Sequence, residues 1–303
     1  MIITDHMKFQ KEKTGLDLME TGRQIIEIAM ANGADLAGLA SAKKLRASAS
    51  HTVYPQMGEY GGVGTPKDEH PPTADELFNW PAAAKSLLVI GLSHPEEKPE
   101  LDWWDGKGTP GNRMLIDIMA RTRKQIENDL TVKTHKLHYY VEKGGIFLKD
   151  AAVLAGLGGI GENNLLITPG YGPRIRLRAL FLEAELEPTG PIEFDPCQDC
   201  KVYCRRVCPE KAMAAKVSVF DAIDNTADLP ARDGTYDRIR CNKRMEKDIA
   251  DSQASGAGEQ QPIKFCRKCE FVCRWENNRI TGWNVRPPYF PASTIMIQFS
   301  VPN

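Results

Sequence analysis

The stretch Cys197–Pro209 reads CQDCKVYCRRVCP and decides the organisation of this chain, because it places four cysteines and a proline within thirteen residues. Its spacing is C-x2-C-x3-C-x3-C-P. The remaining cysteines follow as Cys241 and as the run Cys266, Cys269 and Cys273. The sequence has eight cysteines in all, so every thiol of the protein lies in the segment 197–273.

This spacing predicts two iron-sulfur clusters. Bacterial ferredoxins use C-x2-C-x2-C-x3-C-P, one residue shorter, and their cysteine before the proline ligates the other cluster. Because a [4Fe-4S] cluster takes four thiolates, eight cysteines suit two clusters with none left over. The predicted ligands of the first cluster are Cys197, Cys200, Cys204 and Cys273, and those of the second are Cys208, Cys241, Cys266 and Cys269.

Zinc is the main alternative metal for these cysteines to bind. Two sites with four thiolates each would also use C-x2-C spacing. The crowded run of four cysteines and its trailing proline favour iron and sulfide. A disulfide framework is disfavoured, because a chain of 303 residues without a secretory leader can build a hydrophobic core without covalent links.

Composition and charge exclude some classes of partner. The chain is 42% apolar and 26% charged, as in ordinary globular proteins. The 39 basic and 40 acidic residues give a formal charge of -1, so no overall positive field attracts nucleic acid or membrane. The first seventeen residues lack the apolar core of a leader, and the apolar runs are too short for a membrane span. We therefore expect a cytoplasmic protein.

Helical and strand patterns alternate before the cysteines and predict an α+β fold with a sandwich of helices and sheet. The predicted helices are 17–32, 113–130 and 147–157, and the predicted strands are 34–40, 86–92, 136–141, 165–168 and 175–186. The cysteine region begins only after Pro188. We therefore predict one domain over residues 1–188 and a second over 189–303.

The glycine-rich turn 155–164, AGLGGIGENN, is the second informative stretch. A dinucleotide site requires a strand, then GxGxxG, then a helix. Here the predicted helix precedes the glycines and a strand follows them. The order excludes a Rossmann site, and the turn taken alone is either a tight turn or a cofactor site.

Taken together, four motifs carry a resemblance. The AGLGxxGxN turn, the stretch LLITPGYG at 165–172, the LEP at 186–188 and the cysteine run resemble the epoxyqueuosine reductases and the corrinoid-dependent reductive dehalogenases. The resemblance spans about residues 84–276. It implies a nitroreductase-like domain that binds cobalamin (a corrinoid), followed by a ferredoxin-like domain whose two [4Fe-4S] clusters reduce the cobalt. The implied cofactor-binding residues are Gly158, Gly159, Ile160, Gly161 and Asn163.

The resemblance also implies a proton donor. Epoxyqueuosine reductases place an aspartate sixteen residues before the second glycine of the AGLG turn, and this count leads to Glu142. Dehalogenases use a tyrosine, and Tyr139 and Tyr140 lie close by. The alternatives are an exposed carboxylate for Glu142 and packing roles for the tyrosines.

Histidines and arginines add weaker candidates. No ligand role is expected for His94, His135 or His138, because the resembled families bind the corrinoid without a protein histidine below the cobalt. Arg174, Arg176 and Arg178 alternate along a predicted strand. They either contact phosphate or corrin carboxamides or form a solvated strand face.

Three departures from the resembled families shape the expected function. Gly159 and Glu162 replace the usual tryptophan and lysine of the turn, and Arg274 replaces a proline. The sequence continues for thirty residues after Cys273, without the helical-repeat segment that grips tRNA in epoxyqueuosine reductases. We expect a cobalamin-dependent reductase of a small organic substrate, supplied by a donor such as ferredoxin or flavodoxin, with nucleic acid not expected. The alternatives are an electron-transfer or corrinoid-reactivating protein and a short form that reduces epoxyqueuosine on tRNA.

Overall fold

The computed structural model describes the backbone of residues 2–56, 62–64, 78–214, 236–254 and 261–273. Side chains are described over these ranges except at residues 2–16, 56 and 142. The helices are α1 Ile2–Ala31, α2 Ala42–Arg46, α3 Ala49–Val53, α4 Pro110–Asp129, α5 Leu148–Leu154, α6 Tyr203–Val207, α7 Arg238–Ala254 and α8 Lys268–Phe271. The strands are β1 Leu36–Ser41, β2 Ser86–Ser93, β3 Thr134–Lys136, β4 Gly159–Ile160, β5 Leu166–Ile167 and β6 Ile175–Leu182.

A four-stranded antiparallel sheet in the order β1-β2-β6-β3 organises the part of the chain before the cysteines. Its inner strand β2 is apolar and almost wholly buried, as expected when both faces of a strand are covered. Leu87 and Val89 pack with α2 and α5 on one face, and Leu88 and Ile90 pack with α1 and α4 on the other. The predicted α+β class is confirmed. We call this sheet with α1–α5 the α/β unit.

Several predicted boundaries differ from those observed. Helix α1 continues back to Ile2, through a segment rich in the helix formers Lys, Glu and Gln. Helix α4 begins at Pro110, because the Thr109 hydroxyl accepts a hydrogen bond from the Asn112 amide and proline suits the first helical position.

The strand predicted at 136–141 is wrong beyond Lys136. Strand β3 pairs only with the end of β6, from Leu182 to Leu180. The chain then turns, since the Tyr140 carbonyl accepts hydrogen bonds from the Lys143 and Gly145 amides. These bonds replace the ladder that a longer strand would form.

Thr189 attaches the start of the cysteine region to the α/β unit. Its amide donates to the Leu39 carbonyl at 2.9 Å, and its hydroxyl oxygen accepts from the Leu39 amide at 2.9 Å. Gly38 permits this approach, because a Cβ there would lie 2.8 Å from the Thr189 hydroxyl and 2.5 Å from the Ala155 carbonyl. The boundary between residues 188 and 189 stays a prediction, and the chain at that point is buried against β1.

Candidate metal centre

All eight cysteines lie in the described part of the chain, and all are free thiols. Cys204 is buried, Cys200 is exposed, and the other six are partly buried. The segments that carry them also contact each other, since α6 packs against α8. Cysteines distant in sequence are thereby brought together.

A cavity of about 210 Å³ marks the first group. Four thiols line it together with parts of the glycine turn; the lining includes Cys197, Cys200, Cys204, Cys273, Glu162 and Asn163. Three of these cysteines are close in sequence, whereas Cys273 comes from the end of the second cysteine run. The fold therefore places around one cavity the four cysteines assigned to the first cluster.

The second group consists of the other four cysteines, and the causes of the pKa shifts of Cys241 and Cys269 show which thiols lie near each other. The pKa of Cys241 is raised by burial and by the neighbouring Cys208 and Cys266. Burial raises the pKa of Cys269 to about 12, with smaller contributions from Cys241, Cys266 and, more weakly, Cys204. Cys241 thus lies within electrostatic range of Cys208, Cys266 and Cys269, and Cys269 is also near Cys204 of the first group.

The same effects act on the first group. Burial raises the pKa of Cys197 to about 12 and that of Cys204 to about 11, and adjacent thiolates contribute in the same direction. Thiolates crowded in a buried site are unfavourable without a cation, and coordination to a metal deprotonates them. The donor set therefore fits a group that carries positive metal ions.

Two backbone amides point at cysteine sulfurs. The Glu162 amide donates to Cys197 Sγ at 3.3 Å, and the Ala212 amide donates to Cys208 Sγ at 3.3 Å. Hydrogen bonds to ligating sulfurs stabilise negative charge and raise the potential of an iron-sulfur cluster. In the described ranges, no three or more His, Cys, Asp or Glu side chains are spaced to hold a single metal ion.

Helix α7, which the sequence did not predict, connects two cysteines of the second group. It carries Cys241, and its buried Asp248 accepts a hydrogen bond from the Cys266 amide at 2.7 Å. Arg244, one turn earlier, pairs with Asp248.

The glycine turn packs on the protein rather than facing solvent. Gly158, Gly159, Ile160, Gly161 and Asn163 are all buried. A Cβ on Gly158 would meet the Ile167 carbonyl oxygen at 2.2 Å, and one on Gly159 would meet the Phe194 carbonyl oxygen at 2.8 Å and Pro196 at 2.9 Å. These glycines are needed because backbone segments pass at van der Waals distance.

Asn163 connects this turn to the second cysteine run. Its amide nitrogen donates to the Cys269 carbonyl at 3.2 Å, and its side-chain oxygen accepts from the Leu165 amide at 3.2 Å. The five turn residues are buried, and Asn163 also lines the cavity of the first cysteine group. No contact with a corrinoid is shown for them. Their role in binding one stays a prediction.

The candidate proton donors lie elsewhere. Tyr139 is 68% exposed, and its ring meets that of Tyr140 edge-on at 5.0 Å between centroids. Glu142 belongs to the 3₁₀ turn Val141–Lys143, and its side chain lies outside the described residues. Tyr139 is thus exposed to solvent and Tyr140 is partly buried, whereas the glycine turn is buried.

Arg176 and Arg178 of β6 and Arg174 just before it have different partners. Arg174 is buried and pairs with Glu96 at 2.9 Å, and Arg176 pairs with the buried Asp102. The polar contact of Arg178 in the described residues is with the Asn112 side chain at 3.5 Å, and burial lowers its pKa. The expectation of a solvated strand face is therefore wrong for Arg174, which is enclosed by protein.

Sequence reasoning missed a buried group of charges near the second cysteine run. It includes His94, Asp102, Arg267 and Glu270, all with side chains at most 14% exposed. The position of Arg267 directly after Cys266 was the only local signal. Its partner Asp102 lies 165 residues away, a separation that local patterns do not reveal.

Comparison with known proteins follows the resemblance. No family model matches the chain. Tetrachloroethene reductive dehalogenase of Desulfitobacterium hafniense is 30% identical over 165 residues, which are 53% of this chain and 28% of that protein. Epoxyqueuosine reductase of Lactococcus garvieae (strain Lg2) is 28% identical over 138 residues, 43% of this chain and 39% of that protein. The chain is a relative of these reductases.

Solved structures show the same relationship at the level of the fold. An epoxyqueuosine reductase crystallised with an epoxyqueuosine-modified tRNA-Tyr stem loop matches with a TM-score of 0.53 and 18% identity, over 85% of this chain and 65% of that chain. A catabolic reductive dehalogenase matches with a TM-score of 0.51 and 17% identity, over 82% and 30%. The resemblance inferred from the motifs is confirmed, although the matched part spans well under half of the two curated relatives. None of the described helices is both long and apolar enough to cross a membrane.

Proposed function

We propose that the chain is an iron-sulfur reductase with two [4Fe-4S] clusters, one held by Cys197, Cys200, Cys204 and Cys273 and the other by Cys208, Cys241, Cys266 and Cys269. The observation that carries the proposal is the cavity lined by the first four of these thiols. The electrostatic proximity of the other four supports the second site. The domains would be a nitroreductase-like unit over 1–188 and a ferredoxin-like unit over 189–303.

The exposure of the thiols gives the direction of electron flow. Cys200 is exposed, so electrons from an external donor such as ferredoxin or flavodoxin would enter at the first site. The second site lies beside the buried charges of the α/β unit, and Cys269 is near Cys204 of the first. Electrons would therefore pass inward from the first site to the second.

The substrate side of the proposal depends on the relationship to known reductases. A cobalamin would supply the metal centre that transfers electrons to a small organic substrate. Its support is the relationship to the dehalogenases and epoxyqueuosine reductases. Tyr139, Tyr140 or Glu142 would hold the proton that the product requires.

The experiment uses protein purified without oxygen. We expect about eight irons and eight sulfides per chain, a visible shoulder near about 400 nm and a rhombic electron paramagnetic resonance signal after reduction. Cys204→Ala and Cys269→Ala should each remove one cluster and leave the other. A colourless protein that contains zinc would refute the proposal.

Cobalamin is tested separately. The loaded protein is titrated with cob(II)alamin and followed by its visible spectrum, and we expect saturation at micromolar concentration. Absence of binding would remove the corrinoid and leave the clusters in place.

The burial of the glycine turn favours a second candidate, an electron-transfer or corrinoid-reactivating protein without a substrate of its own. Such a protein would reduce the cobalt of a partner stoichiometrically without turnover of any small molecule. The likeness to the reductase crystallised with a tRNA stem loop keeps a third candidate, reduction of epoxyqueuosine on tRNA. Restoration of queuosine in a strain that lacks the reductase would support it, and failure would exclude it.

A further inference from the structure

The second cysteine run meets the α/β unit through Arg267, which lies between Cys266 and Cys269. Its guanidinium binds the carboxylate of Asp102, at the end of the 3₁₀ turn Pro99–Asp102. It also binds Glu270, one turn along α8. One arginine thus joins the cysteine run to a loop of the other unit.

Asp102 is the centre of this contact. Its side chain is only 7% exposed and binds both Arg267 and Arg176 of β6. Burial acts to raise the pKa of its carboxyl, but the hydrogen bond to His94 and the two guanidiniums hold that pKa below its usual value. The carboxylate is therefore charged and connects the sheet to the cysteine run.

His94 completes the group from the end of β2. Its Nδ1 lies 2.9 Å from Asp102 Oδ2 and 2.8 Å from Arg267 Nη2. A guanidinium can only donate and a carboxylate can only accept. The imidazole therefore satisfies the arginine or the aspartate according to whether Nδ1 carries a proton.

Two further contacts hold the same loop to the same run. Trp104 and Ile263 exchange backbone hydrogen bonds of 3.0 and 2.7 Å, and the Lys264 ammonium lies 4.2 Å above the Trp103 ring. The segment 102–104 therefore follows the segment 263–267 through backbone, cation-π and ionic contacts. This continuity makes the loop a rigid support for Cys266.

We propose that Asp102, Arg267, Glu270 and His94 form a positioning network that fixes the Cys266–Cys269 pair on the α/β unit and sets the reduction potential of the cluster bound there. The inference rests on the proposed function, because it requires that cluster. Asp102 and Arg267 act through the ligands and do not bind the iron.

The charges explain the effect on the potential. Two guanidiniums, Arg176 and Arg267, face two carboxylates, Asp102 and Glu270, so the network is close to neutral when the imidazole is neutral. Reduction adds one negative charge to the cluster. Since the network is buried, solvent screens its charges weakly, and a change in one of them alters the cost of reduction.

The test measures the reduction potential of the second cluster in two single variants of the cluster-loaded protein. One variant removes a negative charge from the network and the other removes a positive charge. Asp102→Asn removes a negative charge and should make the second cluster easier to reduce. Arg267→Gln removes a positive charge and should make it harder to reduce. Each variant should change the ratio of oxidised to reduced cluster at a fixed potential about tenfold, which is about 59 mV for one electron.

The double variant and a surface control sharpen the test. Asp102→Asn with Arg267→Gln restores neutrality, so its potential should return towards that of the wild type. Asp105→Asn makes the same change three residues further on, where the carboxylate is 44% exposed and pairs with the equally exposed Arg113, and it should leave the potential unchanged. A redox titration followed by electron paramagnetic resonance gives the potentials, and the step that is absent in Cys269→Ala identifies the second cluster.

Arg267→Lys covers the case in which a neutral variant fails to load its cluster. It keeps the charge but loses the bidentate geometry, and it should retain the potential. Loss of only the second cluster in the single variants would also support positioning. Unchanged potentials with full loading, shifts of equal sign, or joint loss of both clusters would overturn the inference. A wild-type protein without the second cluster would instead refute the proposed function.

Discussion

Each of the two cysteine groups has an arginine–carboxylate pair beside it, and the two pairs differ in burial. Beside the first group, Arg205 pairs with Glu162, and these side chains are 31% and 25% exposed. Beside the second, Arg267 pairs with Asp102, and these are 14% and 7% exposed. Water and salt screen the first pair far more than the second. The ion pair beside the first group is thus close to solvent, and the one beside the second group is buried.

The largest effect should come from breaking the buried pair. Asp102→Ala leaves Arg176 and Arg267 without their shared carboxylate, and the loss of one partner of a buried ion pair costs about 3–5 kcal/mol. Urea unfolding of the loaded protein under anaerobic conditions measures this free energy. A loss below about 1 kcal/mol would mean that the pair is as well solvated as its counterpart at the first site.

A smaller loss of stability should follow from adding a methyl group at Gly159, which packs against the segment just before Cys197. The Cβ of Gly159→Ala would meet Phe194 and Pro196 just before Cys197, at 2.8 and 2.9 Å. Overpacking of this kind costs about 1–3 kcal/mol. Unfolding free energy and iron content measure it.

Gly170 is the matched control for that variant. A Cβ at this position would have no heavy atom within 4 Å. Gly170→Ala should be neutral or stabilising by about 0.4–1 kcal/mol. Equal losses in both variants would show that the effect at Gly159 is not steric.

The ion pair between Asp102 and Arg267 should weaken only when the pH falls below about 4. The pKa of Asp102 is held below 3.8, its value without such contacts. A carboxyl whose pKa is lowered by folding stabilises the fold fully above about pH 4, and this contribution is lost as the pH falls through the folded-state pKa. The stability difference between the wild type and Asp102→Asn should therefore be constant above about pH 4 and shrink below it. Urea unfolding at a series of pH values checks this, and a difference independent of pH would contradict it.

The smallest effect should come from the half-exposed pair. Glu162→Ala keeps the backbone amide that bonds Cys197 and removes the carboxylate that pairs with Arg205. Such pairs contribute about 0–1 kcal/mol, and less in high salt. Unfolding at low and high salt measures it, and a loss near that of Asp102→Ala would remove the contrast between the two sites.

Local patterns predicted much of the fold correctly. The run Ser86–Leu92 is the inner strand β2, because an unbroken apolar stretch is suited to burial on both faces. The helix predicted before the glycine turn is α5, and the strand predicted after it is β5. The strand predicted up to Val141 was wrong, because the local pattern does not show how many residues of β3 pair with β6.

The same limit applies to the cysteine region. The sequence did not predict α7, which ends at Ala254 and whose Asp248 carboxylate accepts a hydrogen bond from the Cys266 amide. Residues 255–260 lie outside the described part of the chain. The contact between Asp248 and Cys266 is not visible in the sequence, because the two residues lie 18 positions apart and meet only in the folded state.

The sequence by itself predicted the chemistry that we propose for this protein, since eight cysteines with this spacing suit two clusters of four thiolates each. It also determined the fold class, because apolar periodicity is a local property. Only the tertiary structure decided that Asp102 pairs with Arg267 and that Phe194 and Pro196 pack against Gly159 of the glycine turn. Those contacts join segments distant along the chain, and their strength depends on burial, which exists only once the chain is folded.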